Sequence, residues 1–188
     1  MLVLRRRTML PTHPFHFLSN CFSYPEEGVF EGAAEALSLL AADMGLDGSI
    51  LNPGGLSLVD QQAEYVRLFI NGPGGVVAPP YASVYINNAG ILHQQGYDQA
   101  LAMYCRAGLE PVEGSESPDH ICHELTFIGL LMELGDYKLL DSFIQDHFSV
   151  WYPAFYERLM QADPLLFYKI LAQVTDRCLQ QIYMEVFA

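Results

Sequence analysis

Side chains capable of acid–base chemistry or metal binding are concentrated in one short stretch, SPDHICHEL, which begins at Ser117. Within it, His120, His123 and Glu124 carry the nitrogen and oxygen donors that bind zinc or iron in proteins. Their order, His-x-x-His-Glu, matches neither zinc-protease pattern, H-E-x-x-H or H-x-x-E-H. No metal site is therefore predicted, and a metal-dependent hydrolase built on these three residues is kept as an alternative hypothesis.

The same stretch is typical of a helix start, with Ser117 as N-cap and Pro118 in the first helical position. The helix dipole would favour Asp119 in the first turn and disfavour a protonated His120, so a neutral His120 with a specific partner is expected. His120 and Glu124 are four residues apart and would share one polar face. From spacing alone, helix capping and solubility are stronger explanations for these residues than function.

A second candidate site is the stretch PPYASVY, residues 79–85. It follows the run NGPGG, which lacks the Lys-Ser/Thr of a phosphate-binding loop, so nucleotide binding is not predicted. Structurally, Pro80 and Tyr81 indicate a rigid turn with a buried aromatic ring; functionally, they would form one wall of a peptide groove. Tyr65 and Phe69, just upstream, would line the same trough, and Glu64 would either join them or be solvated.

Helices must position both stretches, because helical periodicity dominates the chain. Helices are predicted over residues 14–21, 29–44, 57–71, from about 83, 98–108, 117–134, 137–148, 152–161 and 164–186, and no strand alternation continues beyond GVVA. The prediction is an all-α fold of about eight to ten helices, one domain over residues 13–188. The inward stripe of the last helix is expected to be Leu166, Ile170, Val174 and Cys178.

The charge balance restricts the kinds of partner that the protein can bind. The chain has 22 acidic and 9 basic residues, a net charge of −13, and three of the basic residues are Arg5, Arg6 and Arg7. The remainder of the chain therefore carries a net charge of −16, which repels nucleic acid and anionic membranes and attracts cationic partners. No run of about 18 uncharged apolar residues exists, so no membrane-spanning helix is expected.

The opening segment, MLVLRRRTML, contains the arginine pair of one class of bacterial export signal. Such a signal needs an uninterrupted apolar stretch next, and Pro11, His13 and Pro14 interrupt it at once. Residues 1–12 are therefore predicted to be a disordered arm, or an over-extended start with Met9 as the first residue of the natural chain. On this interpretation the protein stays in the cytoplasm, where its four cysteines are reduced.

Four motifs occur in a characteristic order. The sequence contains EYVRLFINGPGGVVAPPYASVY, then PDHICHELTFIGLLMELG, FIQDHFSVWYPAFYERL and FYKILAQVTDRCL. These segments, spanning residues 57–179, resemble the TorD/DmsD/NarJ family of redox-enzyme maturation chaperones. That family's motifs are approximately E-Y-x-x-L-F-x-G-P, P-P-Y-E-S-V-Y, P-D-H-x-x-x-E-L-x-F-M-x-x-L and H-x-x-x-W-x-P-x-F. Two departures are Ala82, where many members have Glu, and Ile128, which replaces the frequent Met with a similar volume.

The resemblance implies an all-helical cytoplasmic chaperone, not an enzyme, with no cofactor of its own. Its expected partner is the catalytic subunit of a molybdopterin-dependent oxidoreductase, bound before maturation through a twin-arginine signal peptide or a remnant N-terminal segment. The expected client-binding residues are Tyr65, Phe69, Pro80, Tyr81, Pro118, Asp119, His120 and Glu124. An acidic rim and an aromatic trough would suit guanidinium groups and an apolar helix.

Two further expectations accompany this one. As an alternative function, the protein would be a generic acidic adaptor. It would then use the same groove to bind another helical partner. The chain is expected to be a monomer or a domain-swapped dimer, with the Gly- and Pro-rich loop at residues 72–80 as the hinge.

Overall fold

The structure, a computed structural model, describes residues 13–47, 57–88, 90–110, 112 and 116–186. Within these ranges it contains nine α-helices: α1 (Pro14–Cys21), α2 (Phe30–Asp43), α3 (Leu58–Tyr65), α4 (Ala82–Tyr85), α5 (Gln95–Arg106), α6 (Ile121–Leu134), α7 (Tyr137–Phe143), α8 (Ser149–Gln161) and α9 (Leu166–Val186). The same residues form no β-strand, only two isolated bridges, so the all-α prediction is confirmed. The arm predicted at residues 1–12 lies outside the described residues.

The core lies around α6. Helical periodicity predicts Ile121, Leu125, Ile128 and Met132 as the inward residues of this helix; the first three are fully buried, and Met132 is half-buried. Helix α1 packs against α6, and α9 packs against α1, α2 and α8. The expectation for the last helix is also met, since Ile170, Val174 and Cys178 are buried and Leu166 is half-buried. Of the described helices, none is both long enough and apolar enough to cross a membrane.

The predicted start of α6 was wrong by three residues, since Pro118 was expected in the first helical position and Ile121 occupies it. Ser117 and Pro118 precede the helix in a turn closed by a hydrogen bond from His120 N to Ser117 O (2.9 Å). The N-cap is His120, and the helix begins at Ile121. The physical reason is a competing partner: the backbone at residues 119–121 bonds to the loop at residues 80–82, which prevents the helix from extending further back.

The sequence also predicts a helix break at Gly96 and an N-cap at Asp98, and both predictions are wrong, because α5 begins at Gln95 and includes both residues. A Cβ placed on Gly96 would lie 2.5 Å from the backbone nitrogen of Ser83, so this glycine allows a close approach of two backbones. The Ser83 hydroxyl accepts hydrogen bonds from Gln94 N (3.2 Å) and Tyr97 N (3.0 Å) at the start of α5. The helix is thus capped from a distant segment.

Two other boundaries differ from the prediction. The gap expected after residue 148 is absent, because a π-helical turn, Ile144–Phe148, connects α7 to α8. The Asp-Pro pair at residues 163 and 164 predicts an N-cap followed by the first helical residue, but Asp163 is left-handed, with φ of 46°, and α9 begins at Leu166. The free N–H of Leu165 at this helix start is satisfied by the Glu64 carboxylate at 2.8 Å.

Candidate peptide-binding site

The two candidate stretches of the sequence lie against each other. Ile121 N donates to Pro80 O (2.9 Å), and Ala82 N donates to Asp119 O (3.0 Å). Tyr81 and His120 form an isolated antiparallel bridge between these bonds, and their rings meet edge to face with centroids 4.9 Å apart. The contact makes one site of two segments that are about forty residues apart in the chain.

His120 is neutral, as the sequence predicted. Its Nδ1 accepts a hydrogen bond from Cys122 N (3.2 Å), and the side chain is 5% exposed. Burial lowers the pKa of His120 to about 4, because an imidazolium loses hydration there. Since Nδ1 is the acceptor, the ring proton lies on Nε2, and His120 can offer a hydrogen-bond donor to a partner.

Asp119 is fully buried, unlike the polar flank expected from the sequence. Its Oδ2 accepts a hydrogen bond from Ser83 N (2.9 Å), and its Oδ1 accepts one from the Ser117 hydroxyl (2.5 Å). Next to it, the Tyr104 hydroxyl donates to Pro118 O (2.7 Å). The carboxylate therefore joins the two segments of the site and presents no surface to a partner.

Glu124 does not form a polar surface with His120, because it lies completely in the core. Its two oxygens bond to His147 Nε2 (2.7 Å) and Trp151 Nε1 (2.8 Å). Burial raises the pKa of Glu124, against the stabilising effect of His147. Burial lowers the pKa of His147, but the Glu124 carboxylate more than offsets this and the net shift is upward. The network connects two of the sequence motifs inside the protein.

The three side chains considered as metal ligands do not converge. His120 uses Nδ1 as a helix cap, and both Glu124 oxygens are occupied in the core. Among the described residues, no group of three or more His, Cys, Asp or Glu side chains could hold a metal ion. The geometry therefore gives the metal-dependent hydrolase no site in this stretch.

The residues upstream of the Gly- and Pro-rich loop are mostly internal. Tyr65 and Phe69 are 8% and 5% exposed, and their rings pack with centroids 5.1 Å apart. Glu64 neither lines a trough nor is solvated, because it pairs with Arg67 at 2.6 and 2.8 Å and also accepts the N–H of Leu165. Burial raises the pKa of Glu64, but these hydrogen bonds outweigh burial and leave that pKa below its usual value.

Two apolar clefts flank the contact between Tyr81 and His120. The first, of about 230 Å³, is called the α6 cleft, and its lining includes Tyr104, Glu116, Pro118, His123, Phe127 and Leu130. The second, of about 320 Å³, is called the loop cleft, and its lining includes Phe69, Ile70, Pro79, Tyr81, Ile91 and Leu92. Each cleft has room for a few apolar side chains of a peptide.

Glu116 connects the two clefts. It lines the α6 cleft, and its Oε1 accepts a hydrogen bond from the hydroxyl of Tyr81 (3.2 Å), which lines the loop cleft. Burial and the neighbouring Glu116 carboxylate raise the pKa of Tyr81, so the phenol stays protonated and donates this bond. Glu116 itself is exposed and can accept further hydrogen bonds from a cationic partner.

Sequence reasoning did not identify Glu116, Ser83, His147 or Trp151 as site residues. Glu116 was one acid among several in a turn-rich segment, and nothing local distinguishes it. His147 and Trp151 stand in one recognised motif, and Glu124 stands in another. A buried carboxylate needs hydrogen-bond donors, and His147 and Trp151 could supply them to Glu124. Matching the acid of one motif with the donors of the other was therefore the signal that could have revealed this contact.

Known proteins resemble the chain over most of its length. The family model described as nitrate reductase delta subunit matches residues 27–157. The chaperone protein TorD of Vibrio parahaemolyticus is 31% identical over 124 residues, 60% of this chain and 57% of that protein. The TorD chaperone of Shewanella loihica is 30% identical over 126 residues, 64% of this chain and 59% of that protein.

A protein of Haemophilus influenzae, assigned as a Tat proofreading chaperone DmsD, is 32% identical over 135 residues, 65% of this chain and 60% of that protein. The chain thus spans less than two thirds of these three curated relatives. A crystal structure from Archaeoglobus fulgidus, of a protein assigned to redox-enzyme maturation, matches with a TM-score of 0.64 and 26% identity. That match covers 94% of this chain and 99% of the other.

Proposed function

Because this chain belongs to the nitrate reductase delta subunit family, we propose that it is a maturation chaperone for a molybdopterin-dependent oxidoreductase. It binds the N-terminal peptide of the catalytic subunit, either a twin-arginine signal or a remnant of one, before the cofactor is inserted. Relatives named as TorD chaperones and as a Tat proofreading chaperone support this proposal, as does the fold shared with a protein assigned to redox-enzyme maturation.

The observation that carries the proposal is the contact of Glu116, Tyr81 and His120 between two apolar clefts. A guanidinium group of the client pairs with the Glu116 carboxylate and lies near the Tyr81 ring. His120 Nε2–H donates to a backbone carbonyl of the client, since Nδ1 is already used. Apolar side chains of the peptide on either side of the arginines enter the clefts.

The eight residues expected to bind the client divide into two groups. Tyr81, His120, Pro118 and Phe69 line the clefts or the contact between them, so they touch the peptide. The other four line neither cleft and hold the first group in place: Tyr65, Pro80, Asp119 and Glu124. Asp119 is the central member of the second group, because its carboxylate bonds to both segments of the site.

Titration calorimetry with the N-terminal peptide of a molybdoenzyme encoded beside this gene tests the proposal. Glu116→Gln keeps the size of the side chain and removes its charge, and we expect a loss of affinity of about 3- to 10-fold. The matched control is Asp141→Asn, which removes one exposed charge from α7 and should change the affinity less than about twofold.

Three outcomes would contradict the proposal in different ways. Equal losses of affinity in Glu116→Gln and Asp141→Asn would show that the acidic protein attracts the peptide non-specifically and that the candidate site does not bind it. No binding of any twin-arginine peptide would remove the signal-peptide form of the proposal and leave the remnant segment. Equal affinity for an unrelated basic amphipathic peptide would favour the generic acidic adaptor instead.

A further inference from the structure

We propose that the N-terminal segment of this chain, residues 1–12, binds the α6 cleft and competes there with the client peptide. The inference rests on the proposed function, because it describes regulation of the same site. Three features support it: the composition of the segment, the place where the chain enters α1, and the length of α6, which separates that place from Glu116.

The segment has the composition of a ligand for this surface. Its sequence, MLVLRRRTMLPT, contains three consecutive arginines, six Leu, Val or Met residues and no acid. The remaining chain has 22 acidic residues against six basic ones. Arginines flanked by apolar side chains are also the features proposed for the client, so the chain carries a mimic of its ligand.

The segment joins the folded body beside the α6 cleft. Ser19 Oγ donates to Cys122 O (2.7 Å), and His16 Nε2 lies 3.4 Å from Glu133 Oε1, so α1 runs antiparallel to α6. His13, just before α1, is therefore next to the C-terminal half of α6. Thr126 lines the cleft and donates to Ser19 Oγ (2.9 Å), which places α1 at the edge of the cleft.

The lengths agree. Helix α6 has 14 residues and is about 20 Å long at about 1.5 Å per residue. An extended chain covers about 3.3 Å per residue, so Arg5–Arg7, six to eight positions before His13, can reach about 20–26 Å from it. This reach is enough for the arginines to meet Glu116, which precedes α6 at its N-terminal end, and it would bring Met9 and Leu10 to the part of the cleft that Phe127 and Leu130 line.

Because the segment belongs to the same chain as the α6 cleft, a weak contact between them is enough for substantial occupancy. Covalent attachment to the folded body gives the segment a local concentration of roughly millimolar. Individual exposed arginine–carboxylate pairs are worth little, so the segment covers the apolar cleft without closing it permanently. The client then binds with an apparent affinity reduced by the fraction of molecules whose cleft is occupied.

Nuclear magnetic resonance on the full chain tests this contact without any client. Signals of His123 and Thr126 report on the α6 cleft, and those of Ile91 on the loop cleft serve as an internal control. We compare the unaltered chain with a triple variant, Arg5→Ser, Arg6→Ser and Arg7→Ser, and with a charge-preserving triple variant in which the same three arginines become lysine.

We expect the serine variant to shift the His123 and Thr126 signals and the lysine variant to leave them nearly unchanged. Adding the free peptide MLVLRRRTMLPT should return the signals of the serine variant toward those of the unaltered chain. Unchanged His123 and Thr126 signals in the serine variant would overturn the proposal. A free peptide that shifts only residues outside the cleft would overturn it equally.

Calorimetry with the client peptide separates this inference from the proposed function. The serine variant should bind the client about 3- to 10-fold more tightly than the unaltered chain. If the client binds both chains equally and the cleft signals do not move, the inference fails and the function stands. If the signals move but no client binds, the function fails, and the contact between segment and cleft stands.

Discussion

At the scale of single residues, His120 is both the helix cap and one side of the contact at the centre of the candidate site. Both roles need a neutral ring, since Nδ1 must accept the Cys122 N–H. Burial supplies that condition by lowering the pKa of His120 to about 4. The neighbouring Asp119 acts differently, because both of its carboxylate oxygens accept hydrogen bonds from groups inside the protein.

Acid should destabilise the protein partly through His120. Its folded pKa of about 4 lies below the unfolded value of about 6.5, so the unfolded chain binds the proton more readily as the pH falls. The stability from the neutral ring is complete above about pH 6.5 and decreases down to about pH 4, by on the order of 1–3 kcal/mol. His120→Asn keeps a capping side chain that does not titrate.

Urea unfolding at several pH values between about 4 and 7 measures this effect. The free energy of unfolding should decrease less in His120→Asn than in the unaltered chain over that range. Parallel pH profiles for the two proteins would show that the ring does not titrate as its burial implies.

Asp119→Ala should destabilise the fold and weaken the site indirectly. Its carboxylate is buried and bonds to Ser83 N and the Ser117 hydroxyl, so its loss leaves unpaired buried groups and costs on the order of 1–3 kcal/mol. Thermal unfolding and peptide affinity should be measured on the same variant. A large loss of affinity with an unchanged midpoint would instead indicate a direct contact with the client.

At the scale of elements, long-range contacts decide where the helices near the site begin. The backbone at residues 80–82 takes hydrogen bonds that would otherwise extend α6 toward Ser117. The hydroxyl of Ser83 caps α5, and the Glu64 carboxylate satisfies the backbone at the start of α9. Three helix starts thus depend on partners distant in sequence, which also fix the walls of the site.

Gly96→Ala tests the approach of α5 to Ser83. The added Cβ would lie 2.5 Å from a backbone nitrogen that cannot move alone, so we expect a loss of about 1–3 kcal/mol of stability. The matched control is Gly32→Ala in α2, where no atom lies within 4 Å and alanine should stabilise by about 0.5–1 kcal/mol. Chemical denaturation of both variants should show opposite signs, and a stabilising Gly96→Ala would refute the close approach.

At the scale of the whole molecule, a net charge of −16 outside the first twelve residues creates a field that attracts basic peptides. Only part of that field acts on a bound peptide, because screening limits the reach of exposed charges to about 8–10 Å at physiological ionic strength. In the proposed complex, apolar side chains buried in the clefts supply binding energy that salt does not screen. The charges should therefore affect mainly the association rate of the peptide, and the clefts mainly its dissociation rate.

Raising the salt concentration should slow association of a twin-arginine peptide and change its dissociation much less. Stopped-flow fluorescence at about 50 to 500 mM salt measures the two rates separately. A peptide in which both arginines are replaced by glutamine is the control, and its association should depend little on salt. An equal salt dependence for both peptides would remove the electrostatic component of the proposal.

The sequence by itself determined the helical architecture, the bounds of α1 and the buried faces of α6 and α9, because these depend on local periodicity. It also pointed to the two stretches of the candidate site and identified the family. Tertiary structure decided what those residues do: spacing put Asp119 and Glu124 on a surface flank, and long-range donors hold both inside. Glu116 became a site residue only because folding places it against Tyr81. Contacts between distant segments leave no local pattern, which is why the periodicity of the chain could not predict them.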